Sequence, residues 1–290
     1  ETPPLAMGYQ DIAVLRLTAG QESSTRLSVG YRPVAVSFSA DATRAYAVTQ
    51  DGVSVIDLAA TGGPIASKLV ALSDDPLEDP GSRDVSVTPD GKLALVRRDG
   101  SSEITVVDLE ADKRSAVTLS GPVTDLDLSP DGLRAVAVVR DSQEAVILRL
   151  PEVAEDPSAL TVVKVDDAVI GSVAMAAEAE VAMLYSNAAE QYRITRLEYS
   201  TEPPAYRTMK LHAPVLGVFV SRDGTGAILL HDAEALDGGA SIPGAFGVLR
   251  MAPELPARLQ ATLAPPTAVA IAPDGQHAVV AEKDDSKKIY

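Results

Sequence analysis

The chain has 290 residues with a formal net charge of −16, 46% hydrophobic residues, only 4% aromatic ones, and neither cysteine nor tryptophan. That composition excludes disulfides, thiolate nucleophiles and cysteine-ligated metal centres, and an acidic chain with scattered lysine and arginine argues against a nucleic-acid backbone as partner. No apolar run approaches the ~20 residues of a membrane-spanning helix, so the core has to be built from the Val, Leu, Ile and Ala that suit sheets stacked face to face.

The first residue is Glu1, a beginning expected where an export signal has been removed or the chain trimmed. Ile12 to Leu17 and Thr25 to Val29 then alternate as two strands. From Tyr31 a repeat sets in, clearest at Gly121 to Leu150, GPVTDLDLSPDGLRAVAVVRDSQEAVILRL. Its first strand places Thr124, Leu126 and Leu128 on one face and Val123, Asp125 and Asp127 on the other. Ser129-Pro130-Asp131-Gly132 follows as a tight turn: proline presets φ, aspartate bonds the backbone just ahead, and glycine takes the left-handed conformation. A second strand runs from Arg134 to Val139 and a third from Ala145 to Leu150.

Anchored on Asp131, the register recurs at Asp41, Asp90, Glu178, Asp223 and Asp274, with spacings of 49, 41, 47, 45 and 51 residues. Alanine stands four residues after every anchor (Ala45, Ala94, Ala135, Ala182, Ala227, Ala278). A large apolar residue stands three before (Phe38, Val87, Leu128, Met175, Val220, Ile271) and another five before (Val36, Val85, Leu126, Val173, Val218, Val269). This period is that of four-stranded β-propeller blades. Third strands are expected at Val53 to Leu58, Ile104 to Leu109, Ala145 to Leu150, Tyr192 to Leu197 and Phe246 to Met251, and fourth strands at Ala66 to Leu72, Ser115 to Leu119, Leu160 to Val165, Tyr206 to Leu211 and Arg258 to Leu263.

The fold class expected is therefore all-β, a propeller of four-stranded blades forming one domain over residues 1–290. The N-terminal pair has no first or second strand, and Ala264 to Ala281 supplies a first and second without a third, so residues 9–30 and 264–290 are expected to share a split blade that closes the ring. That makes six blades, or seven if the natural chain continues, because Ile289-Tyr290 falls where another third strand would begin.

Long loops on a rigid ring are where binding residues concentrate. One face is expected to carry the acidic crossing Ser73 to Gly81, with Asp74, Asp75, Glu78 and Asp79, and the insertion His231 to Gly244, with His231, Asp232, Glu234 and Asp237. These residues form the candidate surface for a protein partner; a solvated linker is the other reading of the acidic crossing. Asp84, Asp125 and Asp127 would point between blades near the axis, either lining a pocket that holds a cation or small ligand, or accepting backbone N–H bonds from the next blade. His212, His231 and His277 have no partner at metal-ligand spacing and G-x-S-x-G is absent, so no metal, cofactor or catalytic residue is assigned.

Tyr31 to Leu72, YRPVAVSFSADATRAYAVTQDGVSVIDLAATGGPIASKLVAL, resembles the YVTN-type propeller repeat, as do Ser86 to Leu109 and Pro266 to Ala281. The likeness is weakest from Ala168 to Leu211, where Ala177-Glu178-Ala179 replaces Pro-Asp-Gly. The resemblance implies a propeller of the kind common in exported or surface proteins of bacteria and archaea, hence a periplasmic, cell-surface or extracellular location. It is similar, more distantly, to lactonase-like propellers, but no stretch matches a catalytic motif. The function expected is a non-enzymatic interaction scaffold that binds protein through its long-loop face; the alternative is a lactonase-like hydrolase or small-ligand binder using the axial pocket.

Overall fold

The computed structural model describes residues 10–74, 83–187, 191–236, 242–250 and 257–283. They divide between two compact units, one drawn from Glu1–Leu119 and Leu150–Ala159, the other from Ser120–Arg149 and Leu160–Tyr290. In the first unit β1 (Asp11–Arg16) and β2 (Ser23–Ser28) form a two-stranded sheet. Two four-stranded antiparallel meanders follow: β3 (Ala35–Phe38), β4 (Arg44–Val48), β5 (Val53–Asp57) and β6 (Ile65–Val70), then β7 (Arg83–Val87), β8 (Leu93–Arg98), β9 (Glu103–Asp108) and β10 (Lys113–Thr118).

The second unit holds three such meanders: β11 (Val123–Leu128) with β12 (Arg134–Val139), β13 (Glu144–Arg149) and β14 (Leu160–Lys164); β15 (Ser172–Met175) with β16 (Val181–Tyr185), β17 (Arg193–Glu198) and β18 (Ala205–Lys210); and β19 (Val215–Val220) with β20 (Gly226–His231), β21 (Gly244–Arg250) and β22 (Arg258–Thr262). β23 (Pro266–Ile271) and β24 (Ala278–Glu282) form a second two-stranded sheet. Among the described residues the sheets number five of four strands and two of two. The apolar side of β1–β2 (Ile12, Leu27) packs on Ala45, Ala47 and Ile56 of the neighbouring sheet. The expected start of a further strand at Ile289-Tyr290 lies outside the described residues.

The alanine rule acquires a physical meaning in the packing. Second strands within the stacked sheets are buried on both faces, one face large and the other small. Tyr46 and Val48 of β4 pack with Ala94 of β8, Val136 and Val138 of β12 with Ala182 of β16, and Met183 of β16 with Ala227 of β20. The large side of one sheet seats on the small side of the next, which is how a core without tryptophan reaches close packing.

Four of the six anchor turns share one hydrogen-bond pattern. Ser39 Oγ donates to Asp41 Oδ1 at 2.6 Å and accepts from Arg44 N, while Asp41 Oδ1 accepts from Thr43 N at 3.0 Å. The same set recurs at Thr88, Asp90 and Leu93, at Ser129, Asp131 and Arg134, and at Ser221, Asp223 and Gly226. At these turns and at Asp274 the position after the anchor is left-handed: Gly91, Gly132, Gly224 and Gly275 have φ of 65–71°, and Ala42 reaches 55° without the glycine. The copies at Glu178 and Asp274 lack the hydroxyl because Ala176 and Ala272 stand in its place.

These donors favour the charged carboxylate. Asp41 is drawn down to about 2 by the Ser39 hydroxyl and by the amide and hydroxyl of Thr43, and Asp223 moves the same way through Ser221 and Thr225. At Asp90 and Asp131 burial pushes upward, and the bonds from Thr88 and Lys92, or from Ser129 and Leu133, outweigh it. A folded-state pKa below the unfolded one contributes stability that is complete above the ordinary carboxylate range and is lost as pH falls through the folded value. Asp41→Asn is therefore expected to be less stable than the parent at neutral pH and to lose less stability between about pH 4 and pH 2. Urea unfolding followed by circular dichroism at several pH values measures this; equal acid losses in both proteins would remove Asp41 from the acid response.

Candidate functional site

Asp125 and Asp127 stand two residues apart on β11, after a bulge that shifts the register between Val123 and Asp125. The simple alternation expected from Val123 onward breaks there, and such a bulge re-aims the side chains that follow it. Asp125 accepts from its neighbour Leu126 N at 2.9 Å through Oδ1 and from Val173 N at 2.9 Å through Oδ2. Asp127 repeats the arrangement with Leu128 N and Met175 N, both at 2.9 Å. β15 is the edge of its sheet, so these carboxylates satisfy edge donors of the next sheet. Asp125 and Asp127 thus make the backbone N–H bonds of the second reading open from the sequence. Burial raises the pKa of Asp127 against the pull of the Met175 and Leu128 amides, and the Asp125 charge adds to the rise.

Asp84 lies in the first unit, largely exposed, and is bridged by Arg97, which also donates to Asp99 at 2.9 Å. Asp74 is paired with Arg114. Asp75, Glu78, Asp79 and Asp237 lie outside the described residues.

His231 departs from the expected long-loop position. It is the last residue of β20 and is buried, with Nδ1 3.1 Å from the Pro214 carbonyl and the ring against Gly247, where a Cβ would meet Nε2. Burial lowers its pKa, opposed by the carbonyls of Pro214 and Ala213. In the sequence this strand end reads as loop because glycines and acids follow it directly. Asp232 caps a 3-10 turn, Ala233–Ala235, by accepting from Glu234 N at 3.0 Å, and Glu234 itself is exposed. His231, Asp232 and Glu234 are thus adjacent in the chain without forming one surface.

The open apolar surface lies elsewhere. A cleft of about 730 Å³ runs between β1 and β3, lined by Ile12, Leu15, Val36, Phe38, Ala45 and Leu58. Leu15 is 62% exposed, Val36 47% and Phe38 64%. The repeat rule assigns Val36 and Phe38 to the core, yet β3 is the least buried first strand of the four-stranded sheets. In the second unit a cleft of about 770 Å³ combines Arg196, Asp223, Arg250 and His277 with Val248 and Ile271, a mixed-charge lining that selects no single ligand class. Among the described residues no group of three or more His, Asp or Glu is placed to hold a metal, and no helix is long and apolar enough to cross a membrane.

No protein-family model matches the chain, and no curated protein matches it in sequence. Solved structures are similar to it at low identity. Kuenenia stuttgartiensis hydrazine synthase superposes with a TM-score of 0.55 and 13% identity over 86% of this chain and 73% of that one. A functionally unknown protein from Desulfotomaculum acetoxidans DSM 771 gives 0.51 and 12% over 86% and 72%. The β-propeller domain of Myceliophteria thermophila Cps50 (Swd1) gives 0.50 and 10% over 70% and 62%. The chain is a β-propeller. Identities this low carry the fold alone, because propellers host many unrelated activities.

Two features of the propeller escape the residue pattern. Arg97 is the partner of Asp84 that no repeat position announces, and Arg83, seated against the carbonyls of Thr49 and Gln50 at 2.8 and 2.7 Å, is a buried tie between the first two four-stranded blades. Arg83 opens β7 and Arg97 lies on β8, and no other blade carries arginine at either repeat position.

Proposed function

We propose that this propeller is a binding scaffold that engages a polypeptide partner through the β1–β3 face of its first unit. The observation that carries the reading is the exposure of Leu15, Val36 and Phe38 along one cleft, on a chain whose net charge is −16. Contiguous apolar surface of this kind marks interaction sites, whereas apolar side chains scattered singly need no explanation. The acidic-loop surface expected from sequence is weakened by Asp74 being paired with Arg114 and by His231 being buried. The likeness of the blades to YVTN-type repeats supports placing the scaffold at the cell envelope or outside the cell.

The test compares what co-purifies from native cells after mild cross-linking with the parent, Phe38→Asp and Leu216→Asp. Phe38 and Leu216 are similarly exposed, at 64% and 53%, and lie in different units, so both variants should fold. A partner captured by the parent and Leu216→Asp is expected to be lost at least tenfold with Phe38→Asp, the loss typical when an apolar hot spot becomes a buried charge. Equal recovery with all three proteins, or none with the parent, refutes this face.

A further inference from the structure

The two aspartates of β11 show what the first strand of a blade binds. Alternate residues of such a strand turn their backbone groups away from the second strand. In β15 these are Val173 and Met175, whose amides are met at 2.9 Å by Asp125 and Asp127 of the preceding blade. In β19 the bond from Ser221 N to Gly226 O sets the same alternation: Gly217 and Phe219 turn to β20, while Val218 and Val220 turn their amides away from it. Ser172 and Ala174 stand where Asp125 and Asp127 stand one blade earlier, and both are too short to repeat the bond. Ala174 packs on the cluster that holds Val218 and Leu229, so the short side chains face β19. Leu126 and Leu128 also bond the aspartates that precede them, whereas Val218 and Val220 follow Gly217 and Phe219, which have no acceptor. Among the described residues neither amide of β19 has a hydrogen-bond partner, although Val218 is buried and a buried amide requires one. β15 and β19 both belong to the second unit.

We infer that β19 binds a linear dicarboxylate, which brings to Val218 and Val220 the two carboxylates that Asp125 and Asp127 bring to β15. The spacing selects the ligand. Amides two residues apart on one strand lie about 7 Å apart, too far for a single carboxylate to bridge and close to the separation of the two ends of an extended six-carbon diacid. Bonds from amides to a charged acceptor are the strong kind. The acidity of the chain is countered locally by Arg140, whose guanidinium lies over Gly171 at the head of β15 and whose Nε is buried without a partner among the described residues. A cation at that end raises the potential felt by an incoming anion.

Adipate is the probe, titrated calorimetrically into the whole protein while amide shifts are followed by heteronuclear NMR. Saturable binding is expected, with the amides of Val218 and Val220 moving together. Acetate, which reaches one amide at a time, is expected to bind at least tenfold more weakly. Ala174→Asp supplies the missing carboxylate from the chain itself, so it is expected to weaken adipate binding at least tenfold and to raise Tm; Ser172→Asp does the same at the other position and serves where the first variant does not fold. No saturable binding, or shifts confined to other amides, overturns the inference and leaves water as the acceptor at β19. Acetate binding as tightly as adipate overturns the two-point geometry, and an unchanged adipate affinity in either folded variant overturns the placement beside Ser172 and Ala174.

Discussion

Gly91→Ala is expected to destabilise the first unit strongly, costing about 3–5 kcal/mol and lowering Tm by roughly 10 °C. Backbone strain and a steric clash combine. Gly91 sits at φ +70°, where an alanine pays about 1 kcal/mol for the left-handed backbone. The clash costs more: a Cβ there would overlap the Tyr46 hydroxyl and crowd Cζ. Tyr46 cannot swing away, because it is 1% exposed and locked among Val48, Ala94, Val96 and Leu109. Gly100 separates strain from clash: its φ is +72° with nothing within 4 Å of the added Cβ, so Gly100→Ala should cost only the backbone share, about 1 kcal/mol. In a Tyr46→Ala background the Gly91→Ala penalty should shrink to that same share. Equal penalties at Gly91 and Gly100 in thermal unfolding would show that the ring yields to the methyl.

The contact between Tyr46 and Gly91 also shows what the sequence can and cannot carry. The turn is legible in full: Thr88-Pro89-Asp90-Gly91 specifies a hydroxyl, a carboxylate and a left-handed glycine, and the structure forms those bonds. Strand order is legible as well, since alternation and turn spacing are local, and the expected strands overlap those found from β1 to β24. The contents of each interface are not. That Gly91 is indispensable because a tyrosine 45 residues earlier lies beneath it is a fact about stacking between blades. The same limit explains Val36 and Phe38. Their positions obey the rule that buries Val173 and Val218, but burial depends on a neighbouring blade face, and no local pattern states whether one is there. The bulges at β11, β19 and β23 are invisible for a related reason: an extra residue in a strand leaves the composition of the strand unchanged.

Truncating the carboxylates of β11 is expected to be the second large effect, and its pH dependence distinguishes it from the turns. Asp127→Ala leaves the amides of Met175 and Leu128 without their acceptor, a loss of about 2–3 kcal/mol for bonds to a charged group. Asp125→Ala does the same to Val173 and Leu126, and the two together should separate the first strands of adjacent blades, with costs that are not additive because the groups share one interface. Asp127→Asn keeps one acceptor oxygen and discards the buried charge, so it should cost about 1 kcal/mol at neutral pH. Burial raises the pKa of Asp127, so the folded state takes up its proton at a higher pH than the unfolded chain does. Its linkage therefore runs opposite to that of Asp41: the parent gains stability at this site as pH falls through the raised folded value toward the ordinary carboxylate range. Asn cannot make that gain, so the deficit of Asp127→Asn relative to the parent should widen on going from pH 7 to about pH 4. A deficit that stays constant over that interval in denaturant unfolding would mean that Asp127 is no harder to ionise in the folded protein than in the unfolded chain. The carboxylate pair would then be holding the blades together without any cost of burying its charge.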